Sequence, residues 1–329
     1  MKNEMTSRER VIAAIDFKGP DKVPMFLNGI SWDEMKKPGF ADNSVNLPND
    51  YIHDNIGWYK EGDLLGRNVD NWGCEWLNLR EGNLGQVVKH PLDDIEKLAS
   101  YKWPSAKDMD MATANEMSEK RDDKYFMLGY ISLFERMINL RGFENLLMDI
   151  ALEEDHFFII RDKILEYNME LIEMALALNP DALFLADDWG SQISLLINPD
   201  AWRKLYLPAY EKMFARIHKA GKHVFFHSDG YVINIMPDLI KAGADVFWIE
   251  FGVNKLEALK KDFAGKVSFL ALLDTQVIEF GTFEEIDEHI KELIGTLGSF
   301  NGGFISRYDY DDSEKCKVIV NAFKKYGGY

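Results

Sequence analysis

Cysteine, positive charge and long apolar runs are all scarce in this sequence of 329 residues. Cys74 and Cys316 are its two cysteines, and they lie far apart and outside any CxxC pair. That scarcity excludes a disulfide framework and a zinc site built on thiolates. A metal, where one binds, must therefore be held mainly by nitrogen and oxygen.

Basic side chains are outnumbered, since 38 Lys and Arg stand against 55 Asp and Glu and give a formal net charge of −17. A chain this acidic repels nucleic-acid phosphates and anionic lipid headgroups. Its apolar runs fall short of the roughly eighteen residues that cross a bilayer. Segment 1–10 is polar, unlike an export signal. We therefore expect a cytoplasmic protein with no nucleic-acid partner and no membrane partner.

Hydrophobic residues make up 47% of the chain and charged residues 28%, which is typical of a folded protein with a large core. No low-complexity tract, charge block or Ser/Gly linker divides the sequence. We therefore expect one domain over residues 1–329.

From about residue 180 onward, short apolar runs alternate with amphipathic stretches of helical length, which is the pattern of βα units. Strands are predicted at 182–186, 223–226, 245–249, 267–272 and 303–306, with two more upstream at 23–27 and 125–128. We expect an eighth between Asp63 and Leu79. Eight strands with crossover helices predict an α/β fold, a (β/α)8 TIM barrel with an elaborated N-terminal third. The alternative is a doubly wound sheet, which is less favoured because no Gly-rich dinucleotide fingerprint follows a strand.

Polar residues follow each of the last five predicted strands, at the ends where a barrel carries its reactive groups. They are Asp187-Asp188-Trp189-Gly190, His227-Ser228-Asp229-Gly230, Glu250, Asp274 and Arg307-Tyr308-Asp309. An Asp after a strand most often caps the next helix, and Asp274 fits that role. A helix cap needs only one carboxylate, so capping does not explain the two adjacent residues Asp187 and Asp188. It does not explain His227 either. We predict that these side chains meet at one rim.

Two chemistries fit such a rim, and the spacing leaves both open. A neutral imidazole with carboxylates suits zinc or another divalent metal, which would polarise a substrate oxygen. The candidate metal ligands are His227, Asp229, Glu250 and Asp309. Alternatively, crowded acids raise one another's pKa and produce a general acid without a metal.

Several segments resemble the uroporphyrinogen decarboxylase-like superfamily, and they occur in the right order over nearly the whole chain. They are Thr6-Ser7-Arg8-Glu9-Arg10-Val11, Asp21-Lys22-Val23-Pro24, Asp187 to Gly190, His218-Lys219-Ala220-Gly221-Lys222 before His227 to Gly230, and Gly281-Thr282-Phe283-Glu284-Glu285. The resemblance implies a (β/α)8 barrel. Its members include true uroporphyrinogen decarboxylases and methyltransferases that move methyl groups to or from corrinoid proteins. Asp187 to Gly190 and His227 to Gly230, which we call the rim motifs, are together most similar to the branch that includes corrinoid-dependent O-demethylases.

The sequence departs from two branches of that superfamily. True decarboxylases carry Arg-Gln-Ala-Gly-Arg-Tyr after the first strand, whereas residues 28–32 here read Asn-Gly-Ile-Ser-Trp and offer no cation for a polycarboxylate. The methyltransferases that make methyl-coenzyme M hold zinc through His-x-Cys and a later Cys. Here Asp229 replaces the first Cys, and residues 306–309 occupy the region of the second.

A corrinoid-ligating motif is not built into the chain. Asp287 and His289 match the start of DxHxxG, but Glu292 stands in place of the glycine. The resemblance therefore implies a methyltransferase that passes a methyl group from a small methoxylated, aromatic substrate to the cobalt of a separate corrinoid protein.

The residues assigned to that reaction come from the rim motifs. The expected catalytic residues are Asp187, Asp188 and Asp229, and the expected substrate-binding residues are Asn28, Trp189, Asp274, Arg307 and Tyr308. Arg307 would bind a substrate carboxylate in a bidentate pair. Two alternatives are a uroporphyrinogen-type decarboxylase and a non-catalytic barrel that only binds a ligand or a corrinoid partner. The methyl donor, the direction of transfer and the formation of a homodimer stay open.

Overall fold

Eight parallel strands form the centre of the computed structural model, which describes residues 4–28, 49–81, 83–309 and 314–328. Along the chain the strands are β1 (Met25–Asn28), β2 (Tyr51–Asp54), β3 (Gly66–Val69), β4 (Glu75–Asn78), β5 (Gln86–Lys89), β6 (Tyr125–Ile131), β7 (Ala182–Ala186), β8 (His223–Ser228), β9 (Val246–Ile249), β10 (Ser268–Leu272) and β11 (Phe304–Asp309). The central sheet has the order β1-β11-β10-β9-β8-β7-β6-β2, and each neighbouring pair is parallel. The predicted TIM barrel is confirmed.

Helices surround this sheet. They are α1 (Ser7–Ile15), α2 (Lys60–Asp63), α3 (Ala112–Lys120), α4 (Phe134–Arg141), α5 (Phe143–Leu152), α6 (Asp155–Ala177), α7 (Pro199–Leu205), α8 (Leu207–Lys219), α9 (Met236–Ala242), α10 (Phe251–Asn254), α11 (Leu256–Asp262), α12 (Thr275–Phe280), α13 (Phe283–Leu297) and α14 (Glu314–Tyr326). Two 3₁₀ helices, Ile95–Ser100 and Ala106–Asp108, lie in the first third. Among the described residues, no helix combines the length and the apolar character needed to cross a membrane.

The helix boundaries follow from local sequence. Asn198 caps α7 by accepting from the backbone N–H of Asp200, and Pro199 occupies its first turn. Pro208 lies in the first turn of α8, where its missing N–H has no helical partner to lose. The helical path is interrupted just before it, between α7 and α8. Thr282 and Glu285 form a capping box at the start of α13.

The eighth barrel strand is not where the sequence placed it. Residues 63–79 contain β3 and β4, which pair antiparallel and join β5 in a separate three-stranded sheet. The barrel strand is β2, which pairs with β6. The residues of β4 alternate between partly and fully buried, which is typical of an antiparallel strand with one exposed face. The barrel strand β2 has no long apolar run, because it contains the polar residues His53 and Asp54.

Two apolar layers hold the barrel. One lies inside it, where Phe26, Tyr51, Tyr125 and Phe225 pack together and α1 covers the lower end with Val11. The second layer lies between the strands and the surrounding helices and is the larger of the two. The strand β7 is fully buried along its length because it faces both layers.

The seam between β1 and β2 is closed by Asp50 and Arg10. The backbone N–H of Asp50 donates to the carbonyl of Met25 (2.8 Å), and its carboxylate accepts from the backbone N–H of Met25 (2.9 Å). The Arg10 guanidinium on α1 donates to Asp50 and to Asp21, each at 2.6 Å. A buried charge network of this kind is costly to break one partner at a time.

The loops that follow β7 and β8 cross at two glycines. The N–H of Gly190 donates to the carbonyl of Asp229 (3.2 Å), and the N–H of Tyr231 donates to the carbonyl of Ser191 (2.8 Å). A Cβ on Gly190 would lie 2.3 Å from the backbone nitrogen of Tyr231. Gly230 has a φ of +74°, and a Cβ there would lie 2.3 Å from the carbonyl carbon of Gly190. Both rim motifs therefore end in glycine for steric reasons.

We predict that Gly190→Ala destabilises the protein by about 1–3 kcal/mol, because the two loops must separate to admit one methyl group. Gly295→Ala is the matched control, since Gly295 lies within α13 and no atom stands within 4 Å of the added Cβ. It should be neutral or stabilising by up to about 1 kcal/mol. Urea unfolding of both variants measures the effect. Equal midpoints for the two variants would contradict the crossing.

Candidate functional site

Three side chains at the carboxyl ends of β7 and β8 lie around one point. The Nε2 atom of His227 is 3.5 Å from Oδ1 of Asp229 and 3.8 Å from Oδ1 of Asp188. One ligand atom from each residue lies within 4.8 Å of the other two. We call these three residues the rim cluster. This spacing of one nitrogen and two oxygen donors is compatible with a divalent ion.

The ring of His227 is held in one orientation. Its Nδ1 lies 2.9 Å from the carbonyl oxygen of Trp248, and its ring packs on the Trp248 indole at 4.4 Å between centroids. A carbonyl oxygen only accepts, so Nδ1 must carry the proton of that hydrogen bond. In the neutral ring the lone pair is then on Nε2, the atom that faces the two carboxylates.

The rim cluster is open to solvent on its acidic side. The side chain of His227 is 12% exposed, whereas those of Asp188 and Asp229 are 42% and 53% exposed. Partial burial raises the pKa of Asp229; His227 opposes that rise, and the charges of Asp188 and Glu250 add to it. The N–H of Asp229 donates to Oδ1 of Asp188 (2.8 Å), which joins the two loops at this point.

Glu250 is not one of the three clustered ligands. Its carboxylate accepts from the backbone N–H of Gly230 (3.0 Å) and so supports the loop that carries Asp229. In the part of the chain that the structure describes, the group that could hold a metal contains Asp188 in place of Glu250. Asp188, predicted as a catalytic acid, is thus placed as a candidate ligand.

Asp187 lies beneath the rim and is fully buried. It accepts hydrogen bonds from the Tyr210 hydroxyl (2.6 Å) and from the backbone N–H groups of Leu133 and Glu135 (2.9 Å each). Burial raises the pKa of Asp187 to about 7, although these donors oppose the rise. These hydrogen bonds hold the start of α4, and the catalytic role of Asp187 stays a prediction.

Trp189 is also fully buried and belongs to the packed core, and its contact with substrate stays a prediction. Its ring stacks on Phe134 at 4.0 Å between centroids, and its indole N–H donates to the Tyr210 hydroxyl (3.0 Å). Asp274 caps α12 as the sequence indicated, through the N–H of Gln276. It also lines a cavity of about 520 Å³ beside Glu250.

Arg307 lies in the upper barrel with its guanidinium carbon 3.8 Å from the centroid of the Trp248 ring. Its charge lowers the pKa of Asp229 and contributes, after burial, to lowering the pKa of His53 to about 4. His53 on β2 therefore adds a neutral imidazole to this region. The side chains of Asn28, Tyr308 and Asp309, predicted for substrate and metal binding, lie outside the described residues.

Glu135 at the start of α4 is a site residue that the sequence did not indicate. Its Oε2 accepts from the hydroxyls of Tyr59 and Tyr130, each at 3.2 Å. Burial raises the pKa of Glu135 well above its usual range, and the nearby charges of Asp188 and Asp187 add to the rise. Among the described residues its Oε1 has no hydrogen-bond partner, and that atom is not sealed from solvent. Glu135 therefore has the environment of a neutral carboxylic acid that can donate a proton.

Solved structures share this architecture. The chain superposes on a methyltransferase from Methanosarcina mazei with a TM-score of 0.73 and 15% sequence identity, covering 98% of this chain and 99% of that chain. A chitinase from Chromobacterium violaceum gives a TM-score of 0.43 and 11% identity over 92% of this chain and 98% of that chain. At these identities the first likeness shows a common fold, and the second carries no argument. No curated protein matches the sequence.

The family is shown by the sequence itself. Residues 77–307 match the uroporphyrinogen decarboxylase (URO-D) family, and this match spans more than half of the chain. It includes both rim motifs and the strands β6 to β11 up to Arg307. The chain therefore belongs to the uroporphyrinogen decarboxylase family.

Proposed function

We propose that this protein is a methyltransferase that moves a methyl group from a small methoxylated, aromatic substrate to the cobalt of a separate corrinoid protein. The observation that carries the proposal is the rim cluster of Asp188, His227 and Asp229 at the open end of the barrel. Membership of the family and the fold shared with a Methanosarcina mazei methyltransferase support it.

The chemical difficulty of this reaction lies in the leaving group. In the proposed transfer, the carbon–oxygen bond of the methyl ether would break with its electron pair going to oxygen, and the methyl group would pass to cobalt(I) of the partner protein. An ether oxygen leaves poorly as an anion unless it receives a proton or is bound to a Lewis acid. The barrel must therefore supply one of these two aids.

The rim cluster suits the Lewis-acid aid. Asp188, His227 and Asp229 would hold zinc or another divalent metal, whose contribution when bound is to polarise the substrate oxygen. The Nε2 atom of His227 lies 3.8 Å from Asp188 and 3.5 Å from Asp229, so a bound cation would be shared by all three side chains. The hydrogen bond to Trp248 fixes the imidazole so that this nitrogen is the one presented.

Glu135 suits the proton aid. Its carboxyl group is kept neutral by burial and by neighbouring negative charge, and Tyr59 and Tyr130 orient it. It would deliver its proton to the oxygen that leaves and regain one from solvent. Arg307, which packs on Trp248, would bind a carboxylate on the substrate ring.

We predict that the purified protein binds one Zn²⁺ per chain and that replacing the cluster ligands weakens this binding. Asp188→Asn and His227→Gln should each lower the affinity at least about tenfold, because a charged or imidazole donor is lost. Glu250→Gln is the control, since Glu250 contacts the Gly230 N–H and lies outside the cluster. Isothermal titration with Zn²⁺ measures all three. Unchanged affinity in the cluster variants would remove the metal from the proposal.

We predict methyl transfer to cobalt when the protein is mixed with a cognate corrinoid protein, a reductant and a panel of aryl methyl ethers. The loss of the cobalt(I) absorption reports the reaction. His227→Ala should slow it at least about a hundredfold, whereas His218→Gln should not, because His218 pairs with Asp245 on the surface. Conversion of uroporphyrinogen with no cobalt methylation across the panel would instead favour the decarboxylase alternative.

The role of Glu135 predicts a pH dependence. A carboxyl group with a raised pKa is protonated at neutral pH, so the rate should fall as pH rises through that raised value. Tyr130→Phe removes a hydrogen bond that favours the charged form, which should move this decline to higher pH. Glu135→Gln should lower the rate by roughly 10²–10⁴-fold and abolish the decline. If Glu135→Gln keeps the same alkaline limb, another group supplies the proton.

A further inference from the structure

A second cavity of about 240 Å³ is lined by residues that do not belong to the rim cluster. Its walls come from the loop after β2, the turn between β3 and β4, the end of β6 and the helix α6. The aromatic residues in these walls are Trp58, Tyr59, Trp72, Tyr130 and Tyr167. This volume is large enough for a small organic molecule, and aromatic walls favour an organic group over water.

Arg136 on α4 is the inner charge of this cavity. Its side chain is 9% exposed, and its guanidinium lies over the rings of Tyr59 (4.4 Å) and Trp72 (4.8 Å). Its Nη1 donates to Oδ2 of Asp70 (3.3 Å). Asp70 is shared, because it also accepts from the indole N–H of Trp76 and from the backbone N–H groups of Trp72 and Cys74.

Arg136 lines the cavity and has N–H donors beyond the one that binds Asp70. Within the described part of the chain, Nη1 makes the hydrogen bond of this guanidinium, and Nε and Nη2 have no acceptor. Neither atom is sealed from solvent. Because the side chain is almost fully buried and lines the cavity, the cavity is the opening through which a ligand oxygen would reach them.

The outer end of the same cavity is acidic. Glu61, Asp108 and Asp110 line it together with Lys60, and both Asp108 and Asp110 are exposed. The buried end of the cavity thus holds Arg136 paired with Asp70, and the exposed end carries excess negative charge. A simple anion would be repelled on entry, and a simple cation would meet Arg136 at the inner end.

We propose that this cavity binds a small zwitterion of the amino-acid or betaine class. The carboxylate accepts from the free N–H donors of Arg136, and the ammonium group lies against the aromatic rings toward Asp108 and Asp110. The opposite charges of the ligand then match the charge gradient of the cavity at both ends. This inference goes beyond the proposed methyl transfer and does not depend on it.

Three probes of nearly equal size test the charge pattern by isothermal titration with the whole protein. Trimethylglycine carries both charges, choline keeps the ammonium without the carboxylate, and 3,3-dimethylbutanoate replaces the charged nitrogen of trimethylglycine by carbon. Trimethylglycine should bind at least about tenfold more tightly than either control, since each control loses one charged contact. Equal binding of choline or of 3,3-dimethylbutanoate would overturn the proposal, as would no binding of trimethylglycine.

Two variants locate the binding. Arg136→Gln should abolish trimethylglycine binding, and its thermal midpoint checks that it folds. The double variant Asp108→Asn with Asp110→Asn changes exposed residues and keeps a side chain that can cap α3, so it should fold normally. It should weaken trimethylglycine several-fold and strengthen 3,3-dimethylbutanoate, because the repulsion of anions is relieved. If neither affinity changes in this double variant, the ammonium does not lie at the acidic end and the proposal fails.

The titrations test this proposal separately from the methyl-transfer reaction. The titrations need no corrinoid protein, no methyl donor and no metal. A protein that binds trimethylglycine through Arg136 but methylates no cobalt would keep the zwitterion site and lose the proposed function. The reverse result would keep the proposed function and remove this site.

Discussion

The close approach of the loops after β7 and β8 is the constraint on which the rim depends. Parallel pairing of Ala186 with His227 brings the two strand ends side by side, but the loops can cross only if Gly190 and Gly230 lack side chains. Once they cross, Asp188 and Asp229 are joined through a backbone hydrogen bond, and His227 lies between them. The motif glycines therefore determine the geometry of the rim cluster without contributing a reactive atom.

That geometry places two carboxylates beside the imidazole of His227. Its Nδ1 proton is committed to the Trp248 carbonyl, so Nε2 is the ring nitrogen that faces them. Solvent reaches Asp188 and Asp229, which gives an ion a route to enter. Asp187 is buried beneath them and accepts hydrogen bonds from Leu133, Glu135 and Tyr210. These bonds hold the start of the loop after β7 in place.

The sequence predicted the barrel and the strands from β7 onward because these strands are continuous apolar runs that end at polar residues. It misplaced the eighth strand, because β2 carries His53 and Asp54 and does not look apolar. It missed Glu135 for a related reason: β6 extends to Ile131, beyond the predicted end at 128, so the start of α4 reaches the rim. It could not separate Asp187 from Asp188, since only the fold determines which of two adjacent carboxylates is buried.

The candidate metal ligands and the candidate proton donor lie at different places in the structure, whereas the sequence presents the two chemistries as alternatives. Glu135 lies on α4, where burial and the charges of Asp187 and Asp188 favour its neutral form. The rim cluster lies on the loops of β7 and β8, where carboxylates reach solvent and an imidazole nitrogen is presented. A cation held at the cluster would reduce the negative charge that acts on Glu135 and so make its proton easier to give up. The strength of Glu135 as an acid would then depend on whether a cation occupies the cluster.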